Sequence, residues 1–273
     1  MKIGIIGAGM VGGTIEHCFS EYHELYIHDP SRNTDLEDLI SNCDMAYIAV
    51  PTPAKDDGSC DISIVEEVLE ELPDGFIAVI KSTVIPGTTE TLQNKFPNLK
   101  LAYSPEFLVE RQRFEDFANQ KILVVGSAHE EVATLVFEHH RIAGIDVGEN
   151  RFHTSSTEAE MVKYTKNNFY AMKVVFANQM HDICQSIGIQ WDVIREIITT
   201  PQDQPIGSSH LEPVMGLMRG FGGKCLPKDT LALRELARSN GVDYEILDAI
   251  QSDNAALRKI STGKSSDVVT EDD

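Results

Sequence analysis

Short apolar runs alternate with amphipathic stretches through the first half of the chain. The runs at 3–6, 25–28, 45–50, 76–80, 99–103 and 122–125 are rich in Ile, Val, Leu and Tyr, and most are flanked by Gly, Pro, Asn or Asp. Runs of this kind read as buried strands. Between them, 10–20, 36–42, 62–72, 88–96 and 130–141 repeat apolar residues at helical spacing. Strands alternating with helices imply βαβ units. The sequence therefore predicts an α/β domain over 1–150, a Rossmann-like doubly wound parallel sheet.

The pattern changes near Arg151. Ser155-Ser156-Thr157 followed by Glu158 is a helix-start signal of the capping-box type, and no proline or glycine intervenes before Gly188. One long helix is expected there. Shorter helices are expected over 192–199, 228–240 and 244–260, with a Pro/Gly/Ser-rich loop over 201–223. This gives an all-helical central domain over 151–260, built around the long helix. The remaining 261–273 are polar and acidic, the composition of a disordered tail.

Composition narrows the functional classes. The 273 residues suffice for two domains, and the formal charge of −20 comes from 43 acidic against 23 basic residues. Such a surface repels phosphate backbones, so neither nucleic acid nor an anionic membrane is an expected partner. No apolar run approaches a membrane span and no secretion signal is visible, so a cytosolic location is expected. The five cysteines stand far apart without a C-x-x-C pair, which predicts neither a metal site nor a disulfide framework.

Two segments carry chemistry. Gly7-Ala8-Gly9-Met10-Val11-Gly12 has the G-x-G-x-x-G spacing between a predicted strand and a predicted helix. Its glycines serve the tight turn, the approach of a pyrophosphate and helix–strand packing, while the helix N-terminus offers free N–H groups to the phosphates. Asp29 closes the second strand, where an acid holds ribose hydroxyls and favours NAD over NADP. In Phe221-Gly222-Gly223-Lys224-Cys225-Leu226-Pro227-Lys228-Asp229, Cys225 stands just before a predicted helix with Lys224 and Lys228 nearby, a setting that favours the thiolate. Glu160, Lys163 and Asn167 share one face of the long helix, which is compatible with a site or with a solvated polar stripe.

These segments resemble the UDP-glucose/GDP-mannose dehydrogenase family. The resemblance rests on G-F-G-G-K-C-L-P-K-D at 220–229, S-P-E-F-L-V-E at 104–110 and E-A-E-M-V-K-Y-T-K-N at 158–167, in order behind the dinucleotide motif. It implies two NAD-dependent oxidations of a nucleotide sugar's primary alcohol, UDP-glucose being the expected substrate. By the resemblance, Lys163 and Asn167 stabilise the oxyanions and Cys225 is the nucleophile. Glu106 and Asp229 activate the hydrolytic water, and Thr83 positions it. Gly7, Gly9, Met10, Val11, Gly12, Asp29, Thr52, Thr83, Glu110 and Lys228 would contact NAD. Glu106, Phe107, Leu108, Glu110, Lys163, Asn167 and Gly222 would contact the sugar nucleotide. The family pairs through its long helix, so a homodimer is expected. The resemblance stops about where a third, nucleotide-binding domain would begin, and Pro205 stands where the family often has an arginine. Two other readings stay open on the residues alone. One is a 3-hydroxyacid or 6-phosphogluconate type of dehydrogenase, which needs no cysteine. The other is a non-catalytic NAD-binding subunit.

Overall fold

The structure, a computed structural model, describes residues 1–186, 188–200, 210, 212–215, 218–239 and 245–262. The chain forms two compact units, Met1–Lys163 and Tyr164–Asp273.

The first unit is built on a seven-stranded sheet: β1 (Lys2–Ile6), β2 (Glu24–His28), β3 (Met45–Ile48), β4 (Ile77–Ile80), β5 (Lys100–Tyr103), β6 (Leu123–Gly126) and β7 (Arg151–Thr154), in the order β2-β1-β3-β4-β5-β6-β7. Helices α1 (Met10–Phe19), α2 (Leu36–Asn42), α3 (Ser63–Glu71), α4 (Thr88–Lys95), α5 (Arg113–Ala118) and α6 (Glu130–Ile142) lie between them in sequence. Successive strand residues point to opposite faces, and in the central strands both faces are buried. Ile6, Ile48 and Ile80 pack with Leu39, Val65, Leu69 and Leu92 of α2, α3 and α4. Ile5, Tyr47 and Val79 pack with Ile15, Phe19, Val132 and Val136 of α1 and α6. Burial on both faces is why these strands read as continuous apolar runs.

Two features of this unit depart from the sequence reading. The sheet is mixed: β1 to β5 are parallel, but β6 meets β5 antiparallel at Tyr103 and Gly126. A parallel neighbour needs a crossover that carries the chain back along the sheet. The link between β5 and β6 holds only a 3-10 turn and the six-residue α5, which is too short to show a helical period. Residues 151–154, expected in the helical region, form β7, parallel to β6. Arg151, Phe152 and His153 are exposed on this edge strand, so no buried face marks it as a strand.

The second region starts from α7 (Ser156–Ser186), within which the division between the units falls. Its capping box forms as expected: Glu158 N–H donates to Ser155 Oγ, and Ser155 N–H donates to Glu158 Oε2. Gly188, with φ +75°, follows its end. The second unit adds α8 (Trp191–Ile198), α9 (Leu226–Ser239) and α10 (Glu245–Thr262). It is not wholly helical, because β8 (Val214–Met215) and β9 (Met218–Arg219) pair antiparallel within the stretch expected as loop. Ala171, Val174 and Val175 of α7, Leu247 and Ile250 of α10, and Phe221 form its main apolar cluster. Ser261 and Thr262, assigned to the tail by composition, are the last residues of α10. The rest of that expected tail, 263–273, and 201–209 of the expected loop, with Pro205, lie outside the described residues. No helix among the described residues is long and apolar enough to cross a membrane.

Candidate active site

The dinucleotide turn has the geometry its glycines imply. Gly7 sits at φ +88°, and a Cβ there would press on the Ala49 carbonyl. A Cβ on Gly12 would overlap the Gly7 carbonyl oxygen, whereas a Cβ on Gly9 would meet open space. The N-terminus of α1 has no side-chain cap and no acidic residue in its first turn, which leaves its N–H groups for an anion. Met10 and Val11 open that helix. At the end of β2, Asp29 is fixed by its neighbours: Ala8 N–H donates to Oδ2 at 2.6 Å, and Ser31 N–H and Oγ donate to Oδ1 at 2.8 and 2.6 Å. The Ser31 hydroxyl and the Ala8 amide hold its carboxyl below the ordinary range. After β3 and β4, Thr52 Oγ1 donates to the Thr83 carbonyl at 2.8 Å. Four parallel strands thus end at these groups, on the sheet's carboxyl edge where such folds take their ligands. The glycine cradle, uncapped helix and acidic ribose position fit NAD.

The segment after β5 meets α7 within the same unit. Lys163 Nζ donates to Glu106 Oε1 at 2.7 Å and to the Glu106 carbonyl at 3.0 Å. Both side chains are about 5% exposed. Leu108 N–H donates to the other carboxylate oxygen at 2.7 Å. Burial pushes the Glu106 carboxyl up, but the Lys163 charge and hydrogen bond, the Leu108 amide and the Lys81 charge together bring it below its ordinary value. Phe107 and Leu108 are half-buried beside it. Glu110 stands out on the exposed turn Glu110–Gln112, where its carbonyl accepts from Arg113.

Two further roles are visible only in the fold. Lys81, at the end of β4, is 3% exposed and donates to Ser104 Oγ at 3.2 Å and the Pro105 carbonyl at 3.3 Å. Burial lowers its ammonium to about 8, against the pull of Glu106. The signal available in the sequence was a lysine closing the apolar run Phe76–Ile80. Glu160, grouped with Lys163 and Asn167 by helical spacing, is fully buried and caps α4 from outside. Gly87 N–H, Thr89 N–H and Thr89 Oγ1 donate to its carboxylate at 2.6, 2.8 and 2.6 Å. Gly87, the N-cap residue, has no side chain to do this. Burial raises the Glu160 carboxyl to about 7 despite these donors.

In the second unit, Cys225 is the residue before α9, and its carbonyl accepts from Asp229 N–H at 2.9 Å. It is therefore the N-cap, with Pro227 inside the first turn where no N–H partner is required. Asp229 is fully buried; Asn167 Nδ2 donates to its Oδ2, and Lys228 Nζ lies 3.3 Å from its Oδ1. Gly222 precedes the cysteine in a half-buried loop.

Comparison with known proteins gives the family of both domains. Residues 28–144 match the NAD binding domain of the UDP-glucose/GDP-mannose dehydrogenase family, and 157–256 match that family's central domain. The chain is 32% identical to the UDP-glucose 6-dehydrogenase AglM of Haloferax volcanii, over 91% of this chain and 68% of that protein. It is 31% identical to a UDP-glucose 6-dehydrogenase of Rickettsia bellii, over 85% of this chain but only 54% of that protein. It thus spans about half to just over two thirds of the length of these relatives. Among solved structures, a UDP-glucose dehydrogenase from the archaeon Pyrobaculum islandicum superposes with a TM-score of 0.81 at 27% identity, covering 93% of this chain and 67% of that one. With the glycine turn, the buried Glu106–Lys163 pair and the N-cap cysteine in place, the chain belongs to the UDP-glucose/GDP-mannose dehydrogenase family, of which it carries the NAD-binding and central domains.

Proposed function

We propose that this protein oxidises the primary alcohol of a nucleotide sugar to a carboxylate, converting UDP-glucose to UDP-glucuronate through a covalent bond to Cys225. Bound NAD would supply the hydride acceptor for each of two oxidations. In the first, the alcohol loses its proton and a hydride to give the aldehyde, while Lys163 and Asn167 offer charge and a hydrogen bond to the developing oxyanion. The Cys225 thiolate then adds to the aldehyde carbon, and the oxygen takes a proton to form a thiohemiacetal. Loss of a second hydride and of that proton leaves a thioester. Water, deprotonated by Glu106 with Asp229 assisting and Thr83 positioning, displaces the thiolate and releases the acid.

The observation that supports this most is the buried Glu106–Lys163 pair. A lysine and a carboxylate held at 2.7 Å, away from water, supply both the oxyanion stabiliser and the base that the two half-reactions need. Lys228 and Glu110 would reach the cofactor, and Phe107, Leu108 and Gly222 the sugar nucleotide. The same reading pairs two copies along α7, whose exposed Met161, Phe169 and Phe176 recur at helical spacing. The test is a Glu106→Gln variant incubated with NAD and UDP-glucose. With hydrolysis blocked, intact mass spectrometry is expected to show the glucuronyl nucleotide accumulating on Cys225. Undiminished turnover with no adduct would refute the scheme.

A further inference from the structure

Asn254 of α10 is 7% exposed, and its amide meets both main-chain polar groups of one loop residue. Phe221 N–H donates to Oδ1 at 2.7 Å, and Nδ2 donates to the Phe221 carbonyl at 3.0 Å. A neighbouring strand would satisfy a buried peptide group in this way; here a side chain does so for a residue outside any strand. The flanking glycines sit against the same helix. Gly220 has φ +77°, and a Cβ on it would overlap Asn254 Oδ1. A Cβ on Gly222 would overlap Arg258, one turn further along α10. Phe221 is buried in the cluster with Leu247 and Ile250. One turn earlier, Gln251 Nε2 donates to Thr230 Oγ1, next to Asp229 on α9. Asparagine is a poor residue for the middle of a helix, so its presence there answers to this loop rather than to α10.

We infer that Asn254 is a positioning residue for Cys225. It fixes Phe221, and with it the glycine segment from which the cysteine enters α9, so that the thiol is held where it can reach the reacting carbon. The inference rests on the reading of Cys225 as the nucleophile. Misplacement by about 1 Å at such a centre costs on the order of 10²-fold in rate, and free rotation at Gly222 and Gly223 is enough to cause it.

The test uses the full chain with Asn254→Ala. Hydrogen exchange of the peptide spanning 220–226 is expected to rise at least about tenfold, with that of β1 and β4 unchanged. Turnover at saturating substrate is expected to fall at least about tenfold, while KM for NAD stays within about twofold. A faster-exchanging loop with turnover within about twofold of the unmodified protein would overturn the inference, as would unchanged exchange. If the unmodified protein oxidises no nucleotide sugar, it is the proposed function that fails. The clamp is then judged by iodoacetamide labelling of Cys225, followed at that peptide by mass spectrometry. A rate altered at least about threefold supports it and an unaltered rate overturns it. If Asn254→Ala does not fold, Asn254→Asp is read in the same way; it keeps the size and the acceptor but loses the donor to the Phe221 carbonyl.

Discussion

The two halves of the proposed chemistry are held by opposite means. In the first unit the reacting groups are charges taken out of water: Glu106 between Lys163 and the Leu108 amide, with Lys81 close behind. In the second unit the nucleophile stands on a half-buried, glycine-rich loop whose preceding residue is fixed by a neutral amide. A buried ion pair fixes charge and geometry together but is costly to disturb, because a lone partner is left without solvent. A thiol that must bond to carbon and then release it needs a defined line of approach. The difference suggests that charge stabilisation is built into the rigid sheet edge, and that covalent reach is built into a loop pinned at one point.

Breaking the first half is expected to have the largest effect. Lys163→Met leaves the buried Glu106 carboxylate without its ion-pair partner, so turnover should fall by about 10³-fold or more, and stability by about 3–5 kcal/mol. Steady-state kinetics and denaturant titration would read both. A fall in turnover without loss of stability would show that the pair is less buried than its 5% exposure indicates.

The Glu160 cap sharpens the same point through pH. Its carboxyl is raised from 4.5 to about 7 by burial, so the native state keeps a proton that the unfolded chain gives up. Its contribution is full below the unfolded value and is lost as pH rises through the folded value. Stability should therefore decline between pH 5 and 8 by about 2–3 kcal/mol from this group. Thermal melts across that range should show the slope, and Glu160→Gln should remove it.

Smaller effects separate the cofactor side from the chemistry. Asp29→Asn, which lacks the charge but keeps the shape, is expected to raise KM for NAD about tenfold with turnover at saturation nearly unchanged. Lys81→Met removes a cation that lowers the Glu106 carboxyl. The acid limb of the turnover profile should then move to higher pH by a fraction of a unit, about twofold in rate near that limb. An acid limb that does not move would show that Lys81 only ties the Ser104–Pro105 backbone.

Where local pattern and fold agree, the sequence was legible. Strands buried on both faces were visible as apolar runs, and the Ser155–Glu158 box marked the start of α7. The turn at Gly7–Gly12 has the steric reasons its spacing implied. What could not be read depends on partners far along the chain. β7 is an edge strand without an apolar face, α5 is shorter than two turns, and the reversal at β6 is a property of a link rather than of a strand. Glu160 looked like a neighbour of Lys163 by periodicity, yet its partners are Gly87 and Thr89, more than seventy residues away. Asn254 carried no local signal, because its meaning lies in the main chain of Phe221.

The account stands or falls on the covalent role of Cys225. The direct measurement is the number of NAD molecules reduced for each UDP-glucose consumed, by the unmodified chain and by Cys225→Ala. The expected result is two per sugar with the acid as product, and loss of that product in Cys225→Ala. One reduced cofactor per sugar, or full conversion to the acid without the thiol, would contradict it.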